Sequence, residues 1–164
     1  MSKILIISAT SDKNLELANE LQSLLRAMGT ESGLVVLDKL NLPLYSDKAD
    51  IESGVVEEII EKMKHASGFI FCAPEYNGSV PPVLSNAIAW ISVKSKNWRD
   101  AFNGKFAVIG THSGGDGYRF LTAFRSQLEY MGTNVLARTI SITKEKPLNE
   151  DSVKRILQGL VDLV

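Results

Sequence analysis

Cysteine is almost missing from this chain: Cys72 is the only one among 164 residues. A lone cysteine cannot build a disulfide framework, and it leaves a thiolate metal site without partners. Histidine is nearly as scarce. His65 and His112 stand far apart, neither with metal-ligand spacing around it, and the nearest approach to "GxSxG" is "THSGGDG", which does not match, so a Ser-His-Asp hydrolase is not indicated. Charge of one sign is not in excess. Eighteen basic and 19 acidic residues give a net charge of −1 and are interspersed, which excludes an electrostatic footprint for nucleic acid or an anionic membrane. Long apolar runs are lacking too, and the one in "MSKILIISAT" is too short for a signal-peptide core or a membrane span. Internal repeats, low-complexity segments and linkers are absent. What remains is a chain with 45% hydrophobic residues and enough length for one full-sized core. The expectation is a single cytoplasmic domain over 1–164, whose partners are small molecules or another copy of itself.

Short β-branched apolar runs alternate with stretches of helical period, the pattern of parallel βαβ construction. "KILIIS" reads as a strand buried on both faces, followed by Leu17, Leu21, Leu24 and Met28 at helical spacing and a stop at Gly29. "GLVVLD" reads as the second strand; a turn-rich connection and a helix from about Glu52 to His65 follow it. "GFIFCA" supplies the third strand. Pro81 and Pro82 then open a helix fading near Lys94, with Val83, Leu84, Ala87, Ile88 and Ile91 on its buried face. "KFAVIGTHS" is the fourth strand, Phe120 to Met131 a fourth helix, "NVLARTISI" an edge strand open to interruption, and a last helix starts near Asn149. These units predict an α/β fold: a three-layer, doubly wound, parallel five-stranded sheet in the order 2-1-3-4-5. Ligands of such sheets bind beyond the carboxyl ends of the strands at the switch point.

Three loops leave those ends: "SATSDKN", "APEYNGS" and "GTHSGGDGY". The first carries Thr10, Ser11, Lys13 and Asn14 at a helix start, where hydroxyls, backbone N–H groups and the helix dipole suit a phosphate monoester; an ordinary N-cap by Thr10, Ser11 or Asp12 is the alternative. This loop is neither "GxxxxGK[ST]" nor "GxGxxG", so the ATP and dinucleotide fingerprints are absent there, which counts against a kinase-like or NAD-first reading. In the second loop Pro74 and Gly78 shape the backbone, while Glu75, Tyr76, Asn77 and Ser79 offer polar groups and one aromatic face, a set suited to a planar heteroaromatic ring. The third, with Gly114, Gly115 and Gly117, permits close backbone approach, or is a turn that needs positive φ. His65 reads as a helix-end residue and Cys72 as a small core residue.

Nearly the whole chain resembles the NAD(P)H-dependent FMN reductases, flavodoxin-like proteins that include chromate, quinone and azo-dye reductases. "PEYNGSVPPVLSNAIAWIS" is similar to the family's "PEYNGS-PG-LKNAIDW-S", supported by "LNLPLYSD" and "THSGGDG". The resemblance implies bound FMN, with Pro74, Glu75, Tyr76, Asn77, Gly78 and Ser79 against the flavin ring and ribityl chain. Ser113, Gly114, Gly115 and Gly117 would flank the other edge, with backbone N–H groups of Ser113 to Gly115 near N1 and O2 of the ring. It implies NADPH or NADH as co-substrate, hydride delivered to flavin N5, a small-molecule electron acceptor and a homodimer or homotetramer. Ala87, Trp90, Ile91 and Trp98 fit that assembly as surplus apolar surface; the alternative buries Trp90 beneath "SKNWRDAF". Tyr45 is a further candidate for the pocket, and Lys13, Arg119 or Arg125 for the extra phosphate of NADPH. The chain departs from the family at "ATSDKN", where the usual "GS-R--S-N" has an arginine and where Asp12 would repel a dianion unless its side chain points away. Pro82 and Ala89 replace a glycine and an aspartate. Three classes remain: a reductase accepting NAD(P)H, a one-electron flavodoxin-like carrier, and an FMN-free domain on the same scaffold.

Overall fold

The computed structural model describes residues 3–51 and 54–164. The strands are β1 (Ile4–Ser8), β2 (Ser32–Val36), β3 (Gly68–Cys72), β4 (Phe106–His112), β5 (Asn134–Val135) and β6 (Ile140–Ile142). The helices are α1 (Lys13–Ala27), α2 (Val55–His65), α3 (Pro82–Lys94), α4 (Tyr118–Tyr130) and α5 (Glu150–Val161). Pairing is parallel throughout, in the order β2-β1-β3-β4-β5, with β6 also on β4. The expected start of the second helix at Glu52 lies outside the described residues.

Alternation along each strand explains the three layers. Leu5, Ile7, Phe69, Phe71, Ala107 and Ile109 face one core with α2, α3 and α4, whereas Ile4, Ile6, Ile70, Cys72 and Val108 face another with α1 and α5. β1 and β3 are buried at all five positions, as the continuous apolar runs require.

The fifth strand is interrupted, as its sequence left open. It is divided into β5 and β6 because Arg125, on α4, turns its guanidinium onto the carbonyls of Val135, Leu136 and Ala137. Those contacts give the break between the two segments its own hydrogen-bond partner. The same contacts tie Arg125 to the scaffold.

A correction concerns the third helix. Ala87, Trp90 and Ile91 are buried within the chain, so no second copy is needed to cover them, and the cover on Trp90 is not "SKNWRDAF" alone. Trp90 Nε1 donates to the Pro43 carbonyl at 2.7 Å, and Tyr45 meets the indole edge-on at a centroid distance of 5.3 Å. Asn86 completes the fastening: its amide donates to the Pro43 carbonyl and accepts from the Tyr45 N–H. Tyr45 is thereby a packing residue on α3. Trp98 stays partly exposed, stacked beneath the Arg99 guanidinium.

Candidate functional site: the rim at the carboxyl ends of the strands

The three loops are stitched together by side chains that sequence spacing could not have paired. Asn14, buried in the first turn of α1, donates to the His112 carbonyl at 3.0 Å and accepts from the His112 N–H at 2.9 Å. It behaves as a short strand-like brace between the first loop and the end of β4. Glu75 joins the second loop to the third. Its N–H donates to Ser113 Oγ at 2.8 Å, and Ser113 Oγ also bonds Thr111 Oγ1 at 2.8 Å. The Glu75 carboxylate accepts from the N–H groups of Arg119 and Phe120 at 3.0 and 3.1 Å. These are unsatisfied donors at the start of α4, whose own N-cap, Gly117, has no side chain to offer them. Asn14, Glu75 and Ser113 thus hold the rim together, and each keeps its side chain occupied in doing so.

Between these braces lies exposed backbone. Tyr76 and Ser79 exchange two backbone hydrogen bonds, of 3.2 and 3.0 Å, closing a two-residue turn over Asn77 and Gly78. Both residues have positive φ, +50° and +71°, the combination that a type I′ turn demands and that Asn-Gly adopts at least cost. Pro74 is buried and aims the turn outward, and the Tyr76 ring is 45% exposed. Across from it, Gly114 and Gly115 have open space where a Cβ would stand. The N–H groups of Gly114, Gly115 and Asp116 meet no acceptor among the described residues. Gly117 is different. It is buried at φ +66°, and a Cβ there would come within 2.7 Å of Thr111 Cγ2, so its absence of side chain serves packing.

The first loop holds a surprise. The Thr10 hydroxyl donates to Asp12 Oδ1 at 2.6 Å, and that same carboxylate caps α1 by accepting from the Asn14 N–H. The Ser11 N–H donates to Asp38 Oδ2 at 2.6 Å, and the Ser11 hydroxyl to Asp38 Oδ1. Lys13 pairs with Glu16 at 2.8 Å on the exposed face of α1, and Glu16 raises the ammonium's pKa above its ordinary value. Asp38 was not among the residues expected here. It follows β2, which neighbours β1, so the carboxyl end of β2 shares the rim with the first loop.

The remaining candidates fall away from the rim or into the scaffold. His65 Nδ1 meets the Glu61 carbonyl in the last turn of α2, as a helix-end residue should. Cys72 is fully buried, and burial pushes its thiol up to about 12, which leaves it inert as a nucleophile. His112 lines a separate open groove of about 470 Å³, on the side of α1 and β6, together with Glu16, Thr143 and Lys144. Among the described residues no group of three or more acidic, histidine or cysteine side chains is placed to hold a metal ion. No helix there is long and apolar enough to cross a membrane.

A flavodoxin-like α/β architecture with its loop rim at the switch point is what fold and geometry define. The sequence description of the NADPH-dependent FMN reductases matches residues 2–146, and the chain belongs to that family. The family's description names FMN as the flavin and NADPH as the electron donor. An NAD(P)H-dependent FMN reductase of Pseudomonas aeruginosa is 33% identical over 71% of this chain and 57% of its own length. A 2-hydroxy-1,4-benzoquinone reductase of Burkholderia is 35% identical over 63% and 55%, and a quinone reductase of Escherichia coli 42% identical over 32% and 29%. The chain therefore spans only about a third to a little over half the length of these curated relatives. The flavoenzyme NAD(P)H:acceptor oxidoreductase FerB of Paracoccus denitrificans superposes with a TM-score of 0.78 at 20% identity, covering 99% of this chain and 97% of that one. A short-chain flavodoxin reaches 0.65 at 15%, covering 99% and 97%. Both likenesses concern the fold.

Set against these residues, the open glycine backbone suits a flat ring such as that of FMN, whereas the groups of the first loop do not suit its phosphate. Gly114 and Gly115 leave their backbone open, with nothing within 4 Å of a Cβ position, while the hydroxyls and the cation of the first loop already face carboxylates.

Proposed function

We propose that residues 1–164 act as one flavin-binding domain of an NAD(P)H-dependent oxidoreductase that reduces a small acceptor, a quinone being the class favoured by the names of the relatives. The observation that supports this most is the pair of exposed backbone segments, Asn77–Gly78 and Gly114–Asp116, held by the Glu75 and Asn14 braces on one rim. A bound flavin would supply two-electron transfer between the nicotinamide and the acceptor. The chain's own part is positional. Pro74 and the Asn77–Gly78 turn fix one edge of the ring, with Ser79 closing that turn, and the Tyr76 ring offers an apolar side wall. Gly114, Gly115 and Asp116 present N–H donors that cost no reorganisation when negative charge grows on the ring's polar edge. Ser113 and Gly117 act by holding that segment still. Lys13 and Arg125 are engaged elsewhere, so Arg119, whose side chain reaches the Gly78 turn and forms no ion pair among the described residues, is the candidate for the phosphate of NADPH.

Self-association into a homodimer or homotetramer and a cytoplasmic location belong to the same reading, and sedimentation at micromolar concentration tests the first. The activity is tested anaerobically. With flavin added to the purified protein, NADH or NADPH should bleach the flavin absorbance at a protein-dependent rate, and a benzoquinone should restore it. Flavin left oxidised by both nicotinamides would refute the reductase reading and leave an electron carrier or a binding domain.

A further inference from the structure

In the first loop the hydroxyls, the Ser11 N–H and the lysine ammonium that could hold a phosphate already face the chain's own carboxylates. Three kinds of anion-attracting group are present there, and each has a partner: the Thr10 hydroxyl with Asp12, the Ser11 N–H and hydroxyl with Asp38, and the Lys13 ammonium with Glu16. Asp12 also caps α1, so the positive end of that helix dipole is already answered by an anion. Of these paired groups only Lys13 is a cation, and the partners Asp12, Asp38 and Glu16 are all carboxylates. A phosphate monoester carries between one and two further negative charges at neutral pH, so it would have to displace Asp38 from Ser11 and then lie beside Asp12.

From this we infer that the site selects its flavin by the ring and discriminates against the phosphate: riboflavin, with a neutral ribityl end, is bound at least as tightly as FMN. The inference rests on the flavin reading above and narrows it to the unphosphorylated member of the class. Asp38 and Asp12 are its specificity determinants. A hydroxyl of the ribityl chain can share the Ser11–Asp38 pair by donating to the carboxylate, whereas a phosphate oxygen can only repel it.

The test uses the full-length protein and two ligands that differ by the phosphate alone. Riboflavin and FMN are titrated separately and binding is read from flavin fluorescence, for the wild-type chain, Asp38→Asn and the double variant with Asp12→Asn. Asparagine keeps an acceptor for the Ser11 N–H and remains a good N-cap, so the fold should hold, and thermal melting verifies it. The expected result is an FMN affinity no higher than that of riboflavin in the wild type. Removing one carboxylate charge should raise the ratio of FMN to riboflavin affinity about ten-fold, since like charges a few ångströms apart at a surface interact on that scale. Salt gives an independent reading. Screening should strengthen FMN binding relative to riboflavin, the reverse of what a cationic phosphate site shows. An FMN preference of ten-fold or more in the wild type, weakened by salt and indifferent to Asp38→Asn, would overturn the inference while leaving the flavin reading intact. Failure of both flavins to bind wild type and double variant alike would overturn both; FMN binding gained only in the double variant would support both.

Discussion

Replacing Glu75 by alanine should loosen the fold at a distance from the residue itself. The carboxylate takes two N–H groups at the start of α4, 3.0 and 3.1 Å away, where Gly117 provides no side-chain cap. Loss of an N-cap costs about 1 kcal/mol, and loss of a negative charge beside a helix N-terminus about 0.3–1 kcal/mol more. The two effects overlap in one group, so Glu75→Ala should destabilise by about 1.5 kcal/mol. In a chain of this size that corresponds to a fall in Tm of roughly 3–6 °C. Glu75→Gln keeps an acceptor and loses the charge, so it should show about half the effect. Urea denaturation gives the free energies. Hydrogen exchange then localises them, because the Arg119 and Phe120 amides should exchange faster while amides of α1 do not. An alanine variant within about 0.3 kcal/mol of wild type, with those two amides unchanged, would refute the capping role and free the carboxylate for direct contact with a ligand.

The two kinds of glycine in the third loop should separate cleanly. Gly117→Ala places a Cβ 2.7 Å from Thr111 Cγ2 on a backbone at φ +66°, and left-handed strain plus overpacking should cost about 2–4 kcal/mol in a urea titration. Gly114→Ala meets nothing within 4 Å and should leave stability within about 0.5 kcal/mol while weakening flavin binding in a fluorescence titration. Glu57 should set part of the acid sensitivity: its Oε2 accepts from the Gly54 N–H at 2.8 Å, and that bond holds its carboxyl below the ordinary 4.5. A carboxylate with a depressed folded pKa contributes stability that is present above the unfolded value and is lost as pH falls through the folded one. Glu57→Gln should therefore flatten the stability profile below about pH 4.5, measured by urea midpoints across pH, and lower stability near neutrality by a constant amount.

The scaffold was largely legible in the sequence because its signals are local. β1 and β3 are unbroken apolar runs, Asn149 caps α5 as expected, and Pro81–Pro82 open α3. Periodicity is silent where a distant side chain decides a backbone path. Arg125 divides the edge strand by taking three carbonyls about ten residues further along, and the 42–45 segment folds over Trp90 because Asn86 and the indole N–H fasten it. Neither pairing leaves a mark in periodicity. The rim was legible as three loops on one edge, since strand order alone places them there. What each residue does on that rim was not. Asn14, Glu75 and Ser113 carry the residue types of a ligand site, yet their side chains are braces, and polar composition cannot separate the two uses. Asp38 escaped notice because only the ends of β1, β3 and β4 were expected to matter, although β2 adjoins β1 and its carboxyl end reaches the same corner.

The central claim is a location, so amide chemical-shift changes on titrating riboflavin into the labelled protein test it most directly. Shifts concentrated at Asn77, Gly78, Gly114, Gly115 and Asp116, with the amides of Thr143 and Lys144 in the neighbouring groove unmoved, are the predicted result. Shifts concentrated in that groove, or none on the glycine segment at saturation, would contradict it.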